Sequence, residues 1–324
     1  PGTLAASSPP VEASPGTDRG ELTPARGCAT VAAARAGTRP GPRQGRTVDH
    51  SALVEALMDP GFYPHPVERV DLVQTHISSV FLTGEVAYKV KKPVDFGFLD
   101  FTTPELRREF CLAELELNRR LAPSVYRSVE PVVCREGRLA LGGEGEVVDW
   151  AVVMRQMDGR LLGPAVLERG ELDRRRVDRL VDLLVPFYRE AATGPGVDEY
   201  GRPESIRVNT DENFAQTEAF VGVALSRSRY ERIVAFTDDF LSSRRELLER
   251  RVAEGRIREC HGDLHLGNIV FEEPPVIFDC IEFNRRFRCS DVAVDLAFLV
   301  MDLDFRGCPE LARRVVERYV ELSG

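Results

Sequence analysis

Asp263, Asn268 and Asp279 place two carboxylates and an amide in one short stretch of a 324-residue chain. Apolar triplets at 269–271 and 276–278 flank Glu272-Glu273-Pro274-Pro275, a pattern that predicts a tight antiparallel hairpin. Pairing of those triplets folds Asn268 and Asp279 back against each other. Two oxygen ligands side by side suit a hard cation such as Mg²⁺, which keeps room for phosphate and water. Asp263, upstream of the amide, is then placed to deal with a hydroxyl nucleophile. The chemistry implied is phosphoryl transfer. His261 and His265 share the i, i+4 spacing of a helical zinc pair, but Gly262 and the missing Glu spoil that motif. Taken alone, Asp279 reads as a carboxylate capping a turn; its pairing with Asn268 argues against that.

The elements that must position these groups are legible in outline. A short helix over 51–58 precedes strands at 70–75, 80–82 and 86–90, the last two joined by a Thr83-Gly84 turn. Strand alternation puts Ala87, Lys89 and Lys91 on one face, so either lysine is a candidate cation. An orienting carboxylate is expected from a helix over 104–121, whose apolar stripe runs through Leu106, Phe110, Leu117 and Leu121. Glu114 lies on the edge of that stripe, and Glu109 is second choice. A buried strand at 147–154 leads into a connection over 155–159. Beyond it the chain reads as mostly helical. One helix passes through Leu172, Val177, Leu180, Val181 and Leu184 until Pro186 kinks or ends it; others cover 211–225 and 230–254.

Composition bounds the rest. Hydrophobic residues make up 43%, enough for a sizeable core, and a net charge of −9 argues against a nucleic-acid-binding face. Seven cysteines without a Cys-x-x-Cys pair fit the reduced thiols of a cytoplasmic protein. No apolar run reaches the length of a membrane span. Residues 1–47 contain no aromatic side chain, and Ala, Gly and Pro supply about half of them. That composition predicts a disordered tail, or sequence upstream of the true start.

His-Gly-Asp-Leu-His-Leu-Gly-Asn-Ile at 261–269 and Ile-Phe-Asp at 277–279 resemble the aminoglycoside phosphotransferase and choline-kinase branch of the protein-kinase-like fold. The resemblance runs from about residue 48 to the end. It implies an α+β, bilobal architecture, with a small antiparallel N-lobe over 48–153 and a mainly helical C-lobe over 154–324. It implies ATP in the cleft, Mg²⁺ on Asn268 and Asp279, and Asp263 as the catalytic acceptor of the hydroxyl proton. Lys89 stands where the family strand carries Ala-x-Lys and would hold the α and β phosphates, oriented by Glu114. The usual Gly-rich loop is missing, so the loop over 75–79 would cover the phosphates through Ser78, Ser79 and backbone amides, with His76 a further contact. Met154, with Met157, would line the adenine slot at the hinge. His261 and Asp295 are read as fixing the shape of the catalytic loop. No long activation segment follows Asp279, and Gly262 stands where peptide kinases carry Arg. The implied acceptor is therefore a small molecule, and Asp302, Asp304 and Glu282 hint at a cationic one.

Tyr-Lys-Val-Lys-Lys-Pro at 88–93, Phe-Leu-Asp-Phe at 98–101 and Leu-Asn-Arg-Arg-Leu-Ala-Pro at 117–123 are similar to one bacterial group of this superfamily. In that group such a domain precedes a P-loop kinase domain. No Gly-x-x-x-x-Gly-Lys-Ser/Thr motif occurs here, so the P-loop domain is expected as a partner and the chain as a short or truncated member. The alternative function is a nucleotide-binding regulatory domain without turnover.

Overall fold

Alternating apolar residues between 71 and 155 build a six-stranded antiparallel sheet within residues 48–323, the part of the chain that the computed structural model describes. The tail expected over 1–47 lies outside the described residues. The strands are β1 (Asp71–Gln74), β2 (Ser78–Leu82), β3 (Val86–Lys91), β4 (Tyr126–Arg135), β5 (Arg138–Leu141) and β6 (Glu146–Arg155), in the order β1-β2-β3-β6-β4-β5. Directly paired residues share a face. Ser78 pairs with Lys91, Val80 with Lys89, Leu82 with Ala87, and Ala87 with Met154. On that face Ala87, Val152 and Met154 join one apolar cluster with Cys111, Tyr126, Val270 and Val276, which ties the sheet to the C-terminal half. Helix α1 (His50–Leu57) covers the opposite face, seating Leu53 and Leu57 against Phe81, Tyr88 and Val90. Each of these leucines is almost fully buried and contributes about 1.5–3 kcal/mol.

Helix α2 (Pro104–Asn118) starts where Thr103 accepts the Leu106 N–H and Pro104 fills the first turn. It ends at Asn118 rather than Leu121, because the Asn118 carbonyl takes the N–H groups of both Leu121 and Ala122 and turns the chain. Beyond the sheet come α3 (Gly163–Glu168), α4 (Arg174–Glu190), α5 (Pro195–Asp198), α6 (Pro203–Glu218), α7 (Arg227–Ser243), α8 (Arg245–Ala253), α9 (Arg285–Arg288), α10 (Val292–Phe305) and α11 (Pro309–Ser323). Short strands are β7 (Ile257–Glu259), β8 (Ile269–Val270), β9 (Val276–Ile277) and β10 (Cys289–Asp291); β8 pairs with β9 and β7 with β10. The fold is thus α+β, a sheet-based half followed by a mainly helical one.

Three helical expectations need correction. Helix α4 runs through Pro186 to Glu190, because Phe187 and Tyr188 beyond it are buried in the main core and hold the last turn despite the lost N–H. Helix α6 begins at Pro203, not 211. The helix expected over 230–254 is two, parted at Arg244, whose backbone leaves helical geometry. The six described cysteines are free thiols, and no described helix is long and apolar enough to cross a membrane.

Candidate active site

The loop between β7 and β8 takes its shape from Asp295 on α10. Its carboxylate accepts the His261 N–H (3.1 Å), the Gly262 N–H (2.8 Å) and the Tyr188 hydroxyl (2.9 Å). His261, itself buried, bonds through Nε2 to the Phe278 carbonyl (2.9 Å) and accepts the Asp263 N–H at Nδ1 (3.3 Å). These contacts match the loop-fixing parts expected of both residues. Gly262 stands at φ +88, and a Cβ there would lie 2.9 Å from the Phe287 carbonyl oxygen and 3.0 Å from Arg288 Cα. Both are backbone atoms that have little room to retreat. Gly262→Ala is therefore expected to lower stability by about 1–3 kcal/mol, read as a fall in melting temperature. An unchanged melting temperature would show that the loop is looser than this packing requires.

The hairpin forms, with Ile269 opposite Ile277 and Val270 opposite Val276, one residue out of step with an end-to-end pairing of the triplets 269–271 and 276–278. Just outside it the Phe278 N–H donates to the Asn268 carbonyl (3.0 Å), so Asn268 and Asp279 stand at the open end of one ribbon. Asn268 Nδ2 donates to the Asp263 carbonyl (3.0 Å) and to its carboxylate (3.2 Å), which turns Oδ1 the other way. Asp279 sits at φ +63, a left-handed conformation that Asp tolerates better than most residues. Its N–H donates to the Tyr126 hydroxyl (3.3 Å), and the Cys280 N–H donates to Asn118 Oδ1 (2.9 Å). Strand β4 and helix α2 thus both grip the segment that carries Asp279.

Lys89 of β3 reaches Asp279 (2.5 Å) and Glu114 of α2 (2.8 Å). Glu109, the second choice, is exposed. Lys91 shares the face but is fully buried, pairing with Glu114 Oε2 (2.7 Å) and with Glu282. Burial acts to lower the Lys89 ammonium, but Asp279 and Glu114 hold it well above its ordinary value, so it stays charged. Asp279 keeps 40% of its side chain open. Burial acts to raise its carboxyl, and Lys89 carries it below the ordinary value.

Ser78 and Ser79, expected on a loop over the phosphates, instead open β2 and are wholly buried. Thr75 closes the turn early: its Oγ1 accepts the Ser78 N–H (3.0 Å) and its N–H donates to the Ser78 carbonyl (2.9 Å). His76 is left exposed at the tip. Ser79 pairs with Val90 on the outer face, so only Ser78 shares the face of Lys89 and Lys91. Neither hydroxyl has a partner among the described residues. Met154 lies on the cleft face opposite Ala87 and Tyr126, near Met157, Leu162 and Phe278. The connection after it is pinned by Arg155, which grips the Glu272 carboxylate with two bonds (2.9 and 2.7 Å). The acidic trio does not assemble. Asp302 accepts the Leu266 N–H (2.9 Å) and pairs with Arg306, Asp304 is exposed, and Glu282 is buried beneath Lys91.

Sequence reasoning assigned no site role to Arg120 or Tyr126. Arg120 lies within the 117–123 run and bonds to the carbonyls of Glu259 (2.7 Å) and Cys260 (3.1 Å), bracing the loop from α2's exit. That run was its only sequence signal. Tyr126 carried none, because its contact to Asp279 spans 153 positions of the chain.

The model of the phosphotransferase enzyme family matches residues 97–323. Uncharacterized proteins of Mycobacterium tuberculosis and Mycobacterium bovis are 32% identical over 264 residues, covering 80% of this chain and 51% of each relative. The chain therefore spans about half the length of the curated relatives it matches. Among solved structures, a choline/ethanolamine kinase family protein from Mesorhizobium loti aligns over 84% of this chain and 76% of its own, at 15% identity and a TM-score of 0.44. An aminoglycoside phosphotransferase from Streptomyces rimosus, in complex with ADP and streptomycin, aligns over 84% and 92%, at 16% identity and the same TM-score of 0.44. The family match extends over well more than half of the chain and spans the loop, the hairpin and Glu114 alike, and by that match this chain belongs to the phosphotransferase enzyme family.

Proposed function

We propose that this chain is an ATP-dependent kinase that moves the γ-phosphoryl group onto a hydroxyl of a small molecule. One observation carries the reading: Lys89, Glu114 and Asp279 form a single ion-paired group beside a ribbon whose other strand brings Asn268 against Asp263. In the proposed reaction the acceptor oxygen bonds to the γ-phosphorus and the bond to the β–γ bridging oxygen breaks. ADP leaves, and Asp263 takes the hydroxyl proton. Lys89 holds the α and β phosphates, and Glu114 keeps its ammonium in place. The cleft face around Ala87 and Met154 offers apolar surface for adenine. Such transfer is largely dissociative, so the residues act chiefly by positioning and by neutralising charge.

Magnesium belongs to the same proposal. Asn268 Oδ1 and the half-open Asp279 carboxylate are the sparse oxygen donors that suit it. No group of three or more His, Cys, Asp or Glu able to hold a metal occurs among the described residues. When bound, the ion neutralises phosphate charge. We extend the proposal to a P-loop kinase domain as partner, given the greater length of the curated relatives. A regulatory reading is favoured by one contact, Lys89 lying directly on Asp279, which closes the site on itself. The test is ADP release from Mg·ATP with a panel of hydroxyl-bearing metabolites. Acceptor-dependent turnover supports the kinase, nucleotide binding without turnover across the panel supports the regulatory domain, and no nucleotide binding sinks both.

A pH dependence follows from His265, whose Nε2 lies 3.4 Å from Asp263 Oδ2. Hydrogen bonding to Asp263 raises the histidine above its ordinary value, against burial. At Asp263 burial acts to raise the carboxyl, but His265, His261 and Asn268 carry it below the ordinary value. A raised histidine contributes stability that is fully present below its unfolded pKa of about 6.5 and is lost as pH climbs through the folded value. The same loss frees the Asp263 carboxylate. Turnover is therefore expected to rise with pH through that range, and His265→Gln to flatten the rise. A variant profile that keeps the wild-type limb would assign it to another group.

A further inference from the structure

Five charged groups alternate along one buried line: Asp279, Lys89, Glu114, Lys91 and Glu282. Two lysines of β3 meet two acids of one C-terminal segment, with Glu114 shared between the lysines. The two cross-contacts differ in character. Asp279, which faces Lys89, keeps 40% of its side chain open, whereas Glu282 and Lys91 keep 4% and 0%. Lys91 also lies 4.8 Å over the Phe101 ring, which fixes its ammonium from the side. Arg288, bonded to the Glu282 carbonyl (3.1 Å), anchors that residue's backbone from below. One contact is part-open to solvent and the other is closed off from it.

We infer that Lys91 and Glu282 are positioning residues that set how firmly Lys89 holds Asp279, and thereby how readily Asp279 is released to a cation. The inference rests on the kinase reading and concerns the control of that same site. Glu114 has two carboxylate oxygens and two lysines drawing on them. Glu282 satisfies Lys91 from the far side and leaves Glu114 shared evenly. Without Glu282, Lys91 draws on Glu114 alone, Lys89 loses part of that partner, and it leans harder on Asp279. Without Lys91, Glu114 belongs wholly to Lys89, and Asp279 is released more easily. The two losses therefore push Asp279 in opposite directions. A pair that only stabilised the fold would push it in neither.

The test is calorimetric titration of ADP into the full chain at a series of Mg²⁺ concentrations, alongside melting curves. Glu282→Gln, close in shape to the native residue, is expected to raise the Mg²⁺ concentration for half-maximal ADP binding on the order of tenfold, the size of one close charge coupling. Lys91→Met combined with Glu282→Leu replaces a buried ion pair by apolar groups, a change that folded cores accept. That double variant is expected to lower the same concentration several-fold. Wild-type protein that binds no ADP at any Mg²⁺ concentration would overturn the kinase reading, and this inference with it. Wild-type binding with both variants shifted the same way, or with neither shifted, overturns the inference alone.

Discussion

Replacing Asp263 by Asn is expected to cut turnover by about 10²–10⁴-fold, the range that a positioned general base contributes, while nucleotide binding is retained. The separation is the point of the experiment. The amide oxygen of the substituted side chain still accepts from Asn268 Nδ2, and the loop is held by Asp295 through the N–H groups of His261 and Gly262, neither of which involves the side chain at 263. What disappears is the negative oxygen that, on the proposed mechanism, receives the hydroxyl proton. Single-turnover measurements with saturating Mg·ATP, paired with ADP titrations, read the two quantities independently. An Asp263→Asn variant with wild-type turnover would remove Asp263 from the reaction and leave only the nucleotide-holding half of the site.

Lys91→Ala is expected to have the largest effect on stability, about 3–5 kcal/mol, because it strands a buried carboxylate. Glu282 is 6% exposed, and after the truncation Lys89 is the one ammonium facing Asp279, Glu114 and Glu282 within the five-charge line. For a chain of this size, each kcal/mol moves the melting temperature by roughly 2–4 °C. Burial already pushes the Glu282 carboxyl up, against Lys91, and loss of Lys91 pushes it further. A carboxyl with a raised folded pKa destabilises in full above that folded value, and the penalty shrinks as pH falls through it toward the unfolded pKa of about 4.5. The deficit should therefore narrow in acid, and Glu282→Gln added to Lys91→Ala should recover part of it. A deficit unchanged by pH and by the second substitution would place the loss in packing against Phe101 instead.

How far the sequence could be read depended on the range of each contact. Asp263, Asn268 and Asp279 announced themselves because a hairpin is local: two apolar triplets around Glu-Glu-Pro-Pro mark it without help from the rest of the chain, although its register falls one residue from their end-to-end pairing. The alternation that set Ala87, Lys89 and Lys91 on one face was equally local, and so was the stripe that favoured Glu114. Periodicity gives a face but not its neighbour. It could not tell that Glu282, a residue in a polar turn by composition, lies against Lys91 nearly two hundred positions earlier. Ser78 and Ser79 were misplaced for the same reason. A polar run reads as loop, yet Thr75 closes the turn early and the pair with β3 draws both serines into the sheet. At Pro186, where a kink or an end was expected, the helix does not end, since tertiary packing of Phe187 and Tyr188 outweighs one missing N–H.

The left-handed backbone at Asp279 has a consequence for the history of such chains. Only Gly, Asn and Asp visit that conformation readily, and most other side chains would strain the ribbon from its open end. If the proposed kinase reading holds, a descendant that abandons catalysis has few exits at this codon. Asn or Gly keeps the ribbon intact and silences the acid, whereas Ala or Glu disturbs both together. Loss of chemistry and loss of shape are separable here by the identity of one letter, so relatives carrying Asn or Gly at this position are where well-folded but silent members should be sought.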